Sequence, residues 1–141
     1  MAETKYGKYI LTGPKPERTA SGEPEPKDAA DVMTSMVYLD NRVLPGGLYA
    51  ETCWFYKPTA YSPPPHTHEF NEVLAFFGSD PSRPRDLCGE VELWLEDEKH
   101  LLTESCMVFI PRGMKHCPMN IRRADRPIFH FSTGNATDYT R

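Results

Sequence analysis

The chain has 141 residues, 39% of them hydrophobic, and a formal net charge of −4, which suits one packed domain rather than a disordered segment. The acidic balance argues against a nucleic-acid or anionic-membrane partner, since either selects a basic stripe. No apolar run approaches the roughly 18 residues that span a bilayer, and Met1-Ala2-Glu3-Thr4-Lys5 leads into no apolar segment, so a cytoplasmic protein is expected. The cysteines at 53, 88, 106 and 117 show no Cys-x-x-Cys spacing and are expected there as reduced thiols.

Residues 6–11 alternate loosely and predict a short strand. Residues 13–30, rich in Pro, Glu and Lys, predict an extended arm lying over this domain or over a neighbouring subunit. A brief helical turn is expected from Asp31 to Met36. Strands follow at 37–39 and 48–57, with Pro45-Gly46-Gly47 as the turn between them. The second run is dense in aromatics (Tyr49, Trp54, Phe55, Tyr56), which suit a pleated surface. Residues 61–65 form a stiff, proline-rich approach that belongs at a rim, because proline has no donor for a sheet ladder. A buried strand is predicted at 72–77, ended by Gly78, and then a polar loop at 79–87. Over 89–95, Val91, Leu93 and Leu95 alternate with Glu90, Glu92 and Trp94, the period of a strand with one wet face. A turn at 97–99 leads into 100–103, and 106–110 is apolar at every position, as for a strand between two layers. Strands at 116–122 and 127–132 and a polar tail at 133–141 complete the chain. Many short strands with almost no helix mean a small all-β barrel or sandwich, divided here into an arm (1–35), a barrel (36–132) and a tail (133–141).

Two stretches carry chemistry. In Pro63-Pro64-Pro65-His66-Thr67-His68-Glu69-Phe70-Asn71-Glu72, the side chains of His66, His68 and Glu72 share one parity on a regular strand. Imidazole nitrogens with a carboxylate oxygen suit a first-row transition metal better than calcium or magnesium. In Pro111-Arg112-Gly113-Met114-Lys115-His116, a Pro-x-Gly turn delivers a fourth donor, His116, at the start of a new strand. Phe70 shares the ligand parity and is a candidate for the pocket wall beside the plainer reading of a core phenylalanine. Asn120 is a second pocket candidate. Cys117, next to His116, is expected on the opposite face and not as a ligand. Cys53 and Cys106 read as buried small residues, and the Arg122, Arg123 and Arg126 cluster as a solvated strand end.

The two stretches resemble the two motifs of the cupin superfamily, Gly-x5-His-x-His-x3-4-Glu-x6-Gly and Gly-x5-Pro-x-Gly-x2-His-x3-Asn. His66, His68 and Glu72 match the first, with Gly78 one residue early; Pro111, Gly113, His116 and Asn120 match the second. Ala60 and Ser105 stand where the motifs begin with glycine. The resemblance covers about residues 45–132. It implies a double-stranded β-helix (cupin barrel, or jelly roll) with an extended N-terminal arm, in a homodimer. It also implies one divalent transition metal on His66, His68, Glu72 and His116. Iron or manganese comes first, and nickel, copper or zinc is compatible. His130, between Phe129 and Phe131, is then a candidate second-sphere acid or base beside the plainer reading of a structural histidine. The implied function is a metal-dependent enzyme acting on a small molecule, a dioxygenase or decarboxylase of a carboxylated or enolic substrate. An isomerase or lyase, or a non-catalytic carrier, storage protein or sensor, is the alternative, because fold does not choose among them.

Overall fold

The computed structural model describes residues 4–16, 31–59 and 63–137. Eight strands follow in order: β1 (Met33–Leu39), β2 (Ala50–Phe55), β3 (Glu72–Gly78), β4 (Asp86–Leu95), β5 (Glu98–Glu104), β6 (Cys106–Ile110), β7 (His116–Ala124) and β8 (Ile128–Gly134). They pair antiparallel into a five-stranded sheet, β1-β2-β8-β3-β6, and a three-stranded sheet, β5-β4-β7. Side chains alternate across each strand, so one face of each sheet is turned toward the other. Leu74 and Phe76 of β3, Phe55 of β2 and Ile128 of β8 meet Val91 and Leu93 of β4 and Ile121 of β7 in one cluster. Each such side chain, once buried, stabilises the fold by about 1.5–3 kcal/mol. A smaller cluster of Tyr38, Tyr49 and Phe70 lies apart from it, and the Tyr49 hydroxyl is 2.6 Å from Ser132 Oγ.

The strand-rich architecture is as expected, with differences at several edges. Residues 6–11 form a 3-10 turn at Gly7–Tyr9, not a strand; Tyr6, Tyr9 and Ile10 are exposed, and loose alternation without a neighbouring strand gives no ladder. The helical turn expected from Asp31 is instead the start of β1, where Met33 pairs with Phe55 of β2. The barrel therefore runs from residue 33, and β8 extends it to residue 134. The tail continues the pairing, since Tyr49 N–H donates to Ala136 O and Asn41 N–H to Thr137 O, both at 2.8 Å. Of the arm, residues 17–30 lie outside the described residues. Before them, the Gly13 carbonyl accepts from Tyr38 N–H at 3.1 Å and Lys15 pairs with Glu51 at 3.5 Å. β6 is not buried on both faces. It is a sheet edge, and Met107 and Phe109 point outward at 63% and 61% exposure. No helix among the described residues is long and apolar enough to cross a membrane.

Ser105, at a position where the motif has glycine, ties two loops together: its Oγ accepts from Gly78 N–H at 2.9 Å and donates to Pro84 O at 2.8 Å. Ala60 lies outside the described residues.

Candidate metal centre

The two motif stretches are stitched together through their backbones before any side chain meets. His66 and His116 form an isolated antiparallel bridge, each N–H donating to the other's carbonyl at 3.0 Å. Gly113 N–H donates to His68 O at 3.0 Å, and Arg112 N–H to Asn71 Oδ1 at 2.8 Å. The turn that makes this possible is closed by Met114 N–H on Pro111 O at 3.0 Å, with Gly113 at φ +86°. A φ in that range at the third turn position is a type II feature that glycine adopts without steric cost. A shared strand parity does not assemble the donors. Residues 67–71 are irregular and β3 begins only at Glu72, so the His-x-His segment approaches the strand through a bend.

The side chains then converge. The ring centroids of His66 and His116 are 4.4 Å apart, those of His66 and His68 4.7 Å, and those of His68 and His116 5.0 Å. Glu72 Oε1 lies 3.4 Å from His68 Nε2 and 3.2 Å from His116 Nε2. Donors sharing one ion at about 2.1 Å sit about 3.0–3.4 Å apart, between a right angle and the tetrahedral angle. His68, Glu72 and His116 are 2–3% exposed, and His66 is half-buried at the rim. The donor atoms of His68, Glu72 and His116 all lie within 4.8 Å of one another, as a group that could hold a metal ion.

Tautomers and charge fit the same use. The Nδ1–H of His66 donates to Pro64 O at 2.7 Å and that of His116 to Met114 O at 3.0 Å, because a carbonyl can only accept. In the neutral rings this leaves the lone pair on Nε2, the arrangement seen when imidazole ligates a metal. A proton or a cation held between Glu72 Oε1 and the Nε2 atoms of His116 and His68 satisfies these buried atoms together. Burial works to raise the Glu72 carboxyl, but hydrogen bonds from His116 and His68 outweigh it and bring it down to about 2. The carboxylate is therefore ionised across the neutral range. The donor set fits a divalent transition metal.

Phe70 and His130 take the plainer of the two readings given for each, a core phenylalanine and a structural histidine. Phe70 is buried and stacks on His68, centroids 4.7 Å apart and planes 15° apart; it also meets Tyr49 edge-on at 6.0 Å. It fixes the orientation of the His68 ring. Asn120 does not line the pocket. It pairs with Glu92 across β4 and β7 and donates to Glu92 Oε2 at 3.2 Å, on the face away from Val91, Leu93 and Ile121. His130 is not beside the histidine group. It lies in the buried layer against Phe76, stacked at 4.6 Å, and Phe55 at 5.7 Å, with Nδ1–H donating to Ala75 O at 2.9 Å. The register sets Phe76 opposite His130 and Glu72 opposite Gly134, four residues along the strand. Burial lowers its pKa to about 4, against the opposing pull of the Ala75 carbonyl and the Glu72 charge. The physical reason is parity: an inward position on β8 beyond the rim of the site belongs to the core.

Cys117 was expected on the far face. Its sulfur instead lies with donor atoms of His66 and His116, all within 4.8 Å of one another. Two irregularities account for this. Cys117 has φ +77°, and β7 carries one extra residue against β4, since Leu95 pairs with His116 but Leu93 with Met119. Such a bulge shifts which residues point inward. Local sequence held no signal for it beyond Pro118, which cannot donate to a ladder.

Comparison with solved structures agrees with the barrel. An oxalate oxidase in complex with the substrate analogue glycolate superposes with a TM-score of 0.52 over 92% of this chain and 75% of that chain, at 13% identity. An RmlC-like cupin with a double-stranded β-helix fold from Methanocaldococcus jannaschii matches over 80% of this chain and 88% of that one, with 17% identity and a TM-score of 0.47. The chain has the cupin fold. KdgF from Halomonas sp. gives a TM-score of 0.46 at 15% identity, over 84% of this chain and 93% of that chain. No protein-family model and no curated protein matches the sequence. At these identities the likeness describes the barrel, and the chemistry rests on the residues above.

Proposed function

We propose that this cupin holds one divalent transition metal on His68, Glu72 and His116, with His66 as the fourth donor, and acts on a small carboxylated or enolic molecule as a dioxygenase or decarboxylase. The observation that carries the reading is the buried convergence of Glu72 Oε1 with His116 Nε2 at 3.2 Å and His68 Nε2 at 3.4 Å. Iron or manganese is put first on the family resemblance; nickel, copper and zinc also suit nitrogen and oxygen donors. When bound, such an ion supplies Lewis-acid or oxygen-binding chemistry at the positions the protein leaves open.

The chain's own residues set the terms of that chemistry. Glu72 is the single carboxylate of the group, so with a dication the centre keeps a positive charge and attracts an anionic substrate. Phe70 holds the His68 plane by stacking, and burial of three donors keeps bulk water away. The oxalate oxidase that shares the fold was captured with glycolate, a small carboxylate of the class proposed here.

A non-catalytic carrier, storage or sensor role is the second reading. The enclosure of His130 favours it, because a proton relay beside the metal is one thing an enzyme of this type would use. Elemental analysis of protein purified without added metal tests the common part of both readings. About one equivalent per chain is expected, and less than roughly a tenth of an equivalent would sink both. His68→Ala is expected to abolish retention. Aerobic and anaerobic incubation of the loaded protein with small keto acids, diketones and phenols then separates oxygenase from decarboxylase, and turnover of none of them leaves the carrier role.

A further inference from the structure

We propose that Cys117 is a sulfur ligand of this centre, forming with His66 and His116 a second, softer three-donor face that shares His116 with the His68–Glu72–His116 face. The proposal rests on the metal reading above and adds a donor that neither parity nor the motif assigns.

Three observations carry it. The sulfur and one ring nitrogen each of His66 and His116 lie within 4.8 Å of one another, and a sulfur and a nitrogen on one zinc ion sit about 3.5 Å apart, inside that bound. Cys117 is 6% exposed and sits at the rim layer beside two imidazoles, whereas Cys53 is in the hydrophobic core and Cys88 lies against Arg83 at 3.6 Å. The backbone at Cys117 adopts φ +77°, a region that costs a non-glycine residue energy and recurs at sites where a side chain is aimed for use. Together with the bulge, this conformation puts the thiol on the histidine side.

The chemistry follows from donor softness. His68, Glu72 and His116 offer nitrogen and a hard carboxylate oxygen; His66, His116 and Cys117 offer nitrogen and thiolate. Binding through Cys117 forms a sulfur–metal bond as the S–H proton leaves to solvent. Thiolate favours zinc, cobalt or copper(I) over manganese. The consequence is a centre whose preferred ion is set by whether the sulfur is engaged.

X-ray absorption of the zinc-loaded full chain tests this directly. A zinc–sulfur path near 2.3 Å is expected, against about 2.0–2.1 Å for zinc–nitrogen, and Cys117→Ser should remove it. Competition titrations should show zinc affinity falling at least roughly tenfold in Cys117→Ser and Cys117→Ala, with manganese affinity changed less than twofold. Zinc bound by nitrogen and oxygen alone in the unaltered chain would overturn the proposal while leaving the metal reading intact. A sulfur path that persists in Cys117→Ser would also overturn it. Failure of the unaltered chain to bind zinc or manganese would remove both readings. Melting of the metal-free variants guards against misfolding; if Cys117→Ser is destabilised, Cys117→Ala and the spectrum of the unaltered chain still decide.

Discussion

Single side chains in this protein are read most clearly through their acid–base behaviour. His130 is neutral in the folded state, its pKa lowered from 6.5 to about 4 by burial. A group whose folded pKa is depressed leaves the unfolded chain holding more protons between the two values, so stability falls as pH drops through that window. The stabilisation present above pH 6.5 should decline toward about pH 4 by on the order of 3 kcal/mol. Glu72 acts in the same direction over a lower window, from its ordinary 4.5 down to about 2. Thermal midpoints of the metal-free chain measured from pH 7 to pH 4 should therefore drop, and His130→Phe should flatten most of that slope. An unchanged slope in the variant would show that His130 is more accessible than its packing against Phe76 and Phe55 implies. The same side chain shows why residue-level reading stops short. Ile128-Phe129-His130-Phe131 gives the identity of a histidine on an apolar strand, but only the pairing of β3 with β8 sets its depth.

At the level of elements, the site depends on how β8 ends. A Cβ added at Gly134 would stand 2.6 Å from Phe70 Cδ2 and Cε2 and 2.9 Å from Asn71 O. Phe70 in turn stacks on His68, so the terminal residue of β8 supports the His68 ring on the approach to β3. Gly134→Ala should destabilise the fold by about 1–3 kcal/mol through overpacking and weaken metal retention, because the displaced phenylalanine carries His68 with it. Melting and metal titration of this one variant check both; lost stability with full retention would separate Phe70 from the site. The strand β7 shows the complementary lesson. Counting by twos from His116 puts Asn120 inside and Cys117 outside, and the extra residue between the Leu93 and Leu95 pairings reverses both. A side-chain period of two survives only while the register is unbroken.

For the molecule as a whole, the outer face of the five-stranded sheet is rich in aromatic side chains. Trp54 packs on Phe129 at 5.0 Å and Phe77 on Phe131 at 5.9 Å there, and Met107 and Phe109 stand exposed on the edge strand β6. An apolar face ending at an unpaired edge is the kind of surface a second copy covers. The homodimer expected from the sequence is proposed to form here. Phe109→Glu should then lower the mass seen by light scattering from two chains to one, and a monomeric mass for the unaltered chain would rule the interface out.

The sequence by itself determined the strand count in outline, the grouping of His68, Glu72 and His116, and the turn that returns His116, because alternation, proline and glycine act within a few residues of themselves. It missed β1 at residues 33–36 and the exposed face of β6, where a strand's status depends on whether another strand lies beside it. Tertiary structure alone decided that Cys117 faces the histidines, that Asn120 turns to Glu92, that His130 sinks into the core and that Phe70 is held by Gly134. Each of these follows from contacts between segments far apart in the chain, whose register and bulges have no counterpart in local spacing.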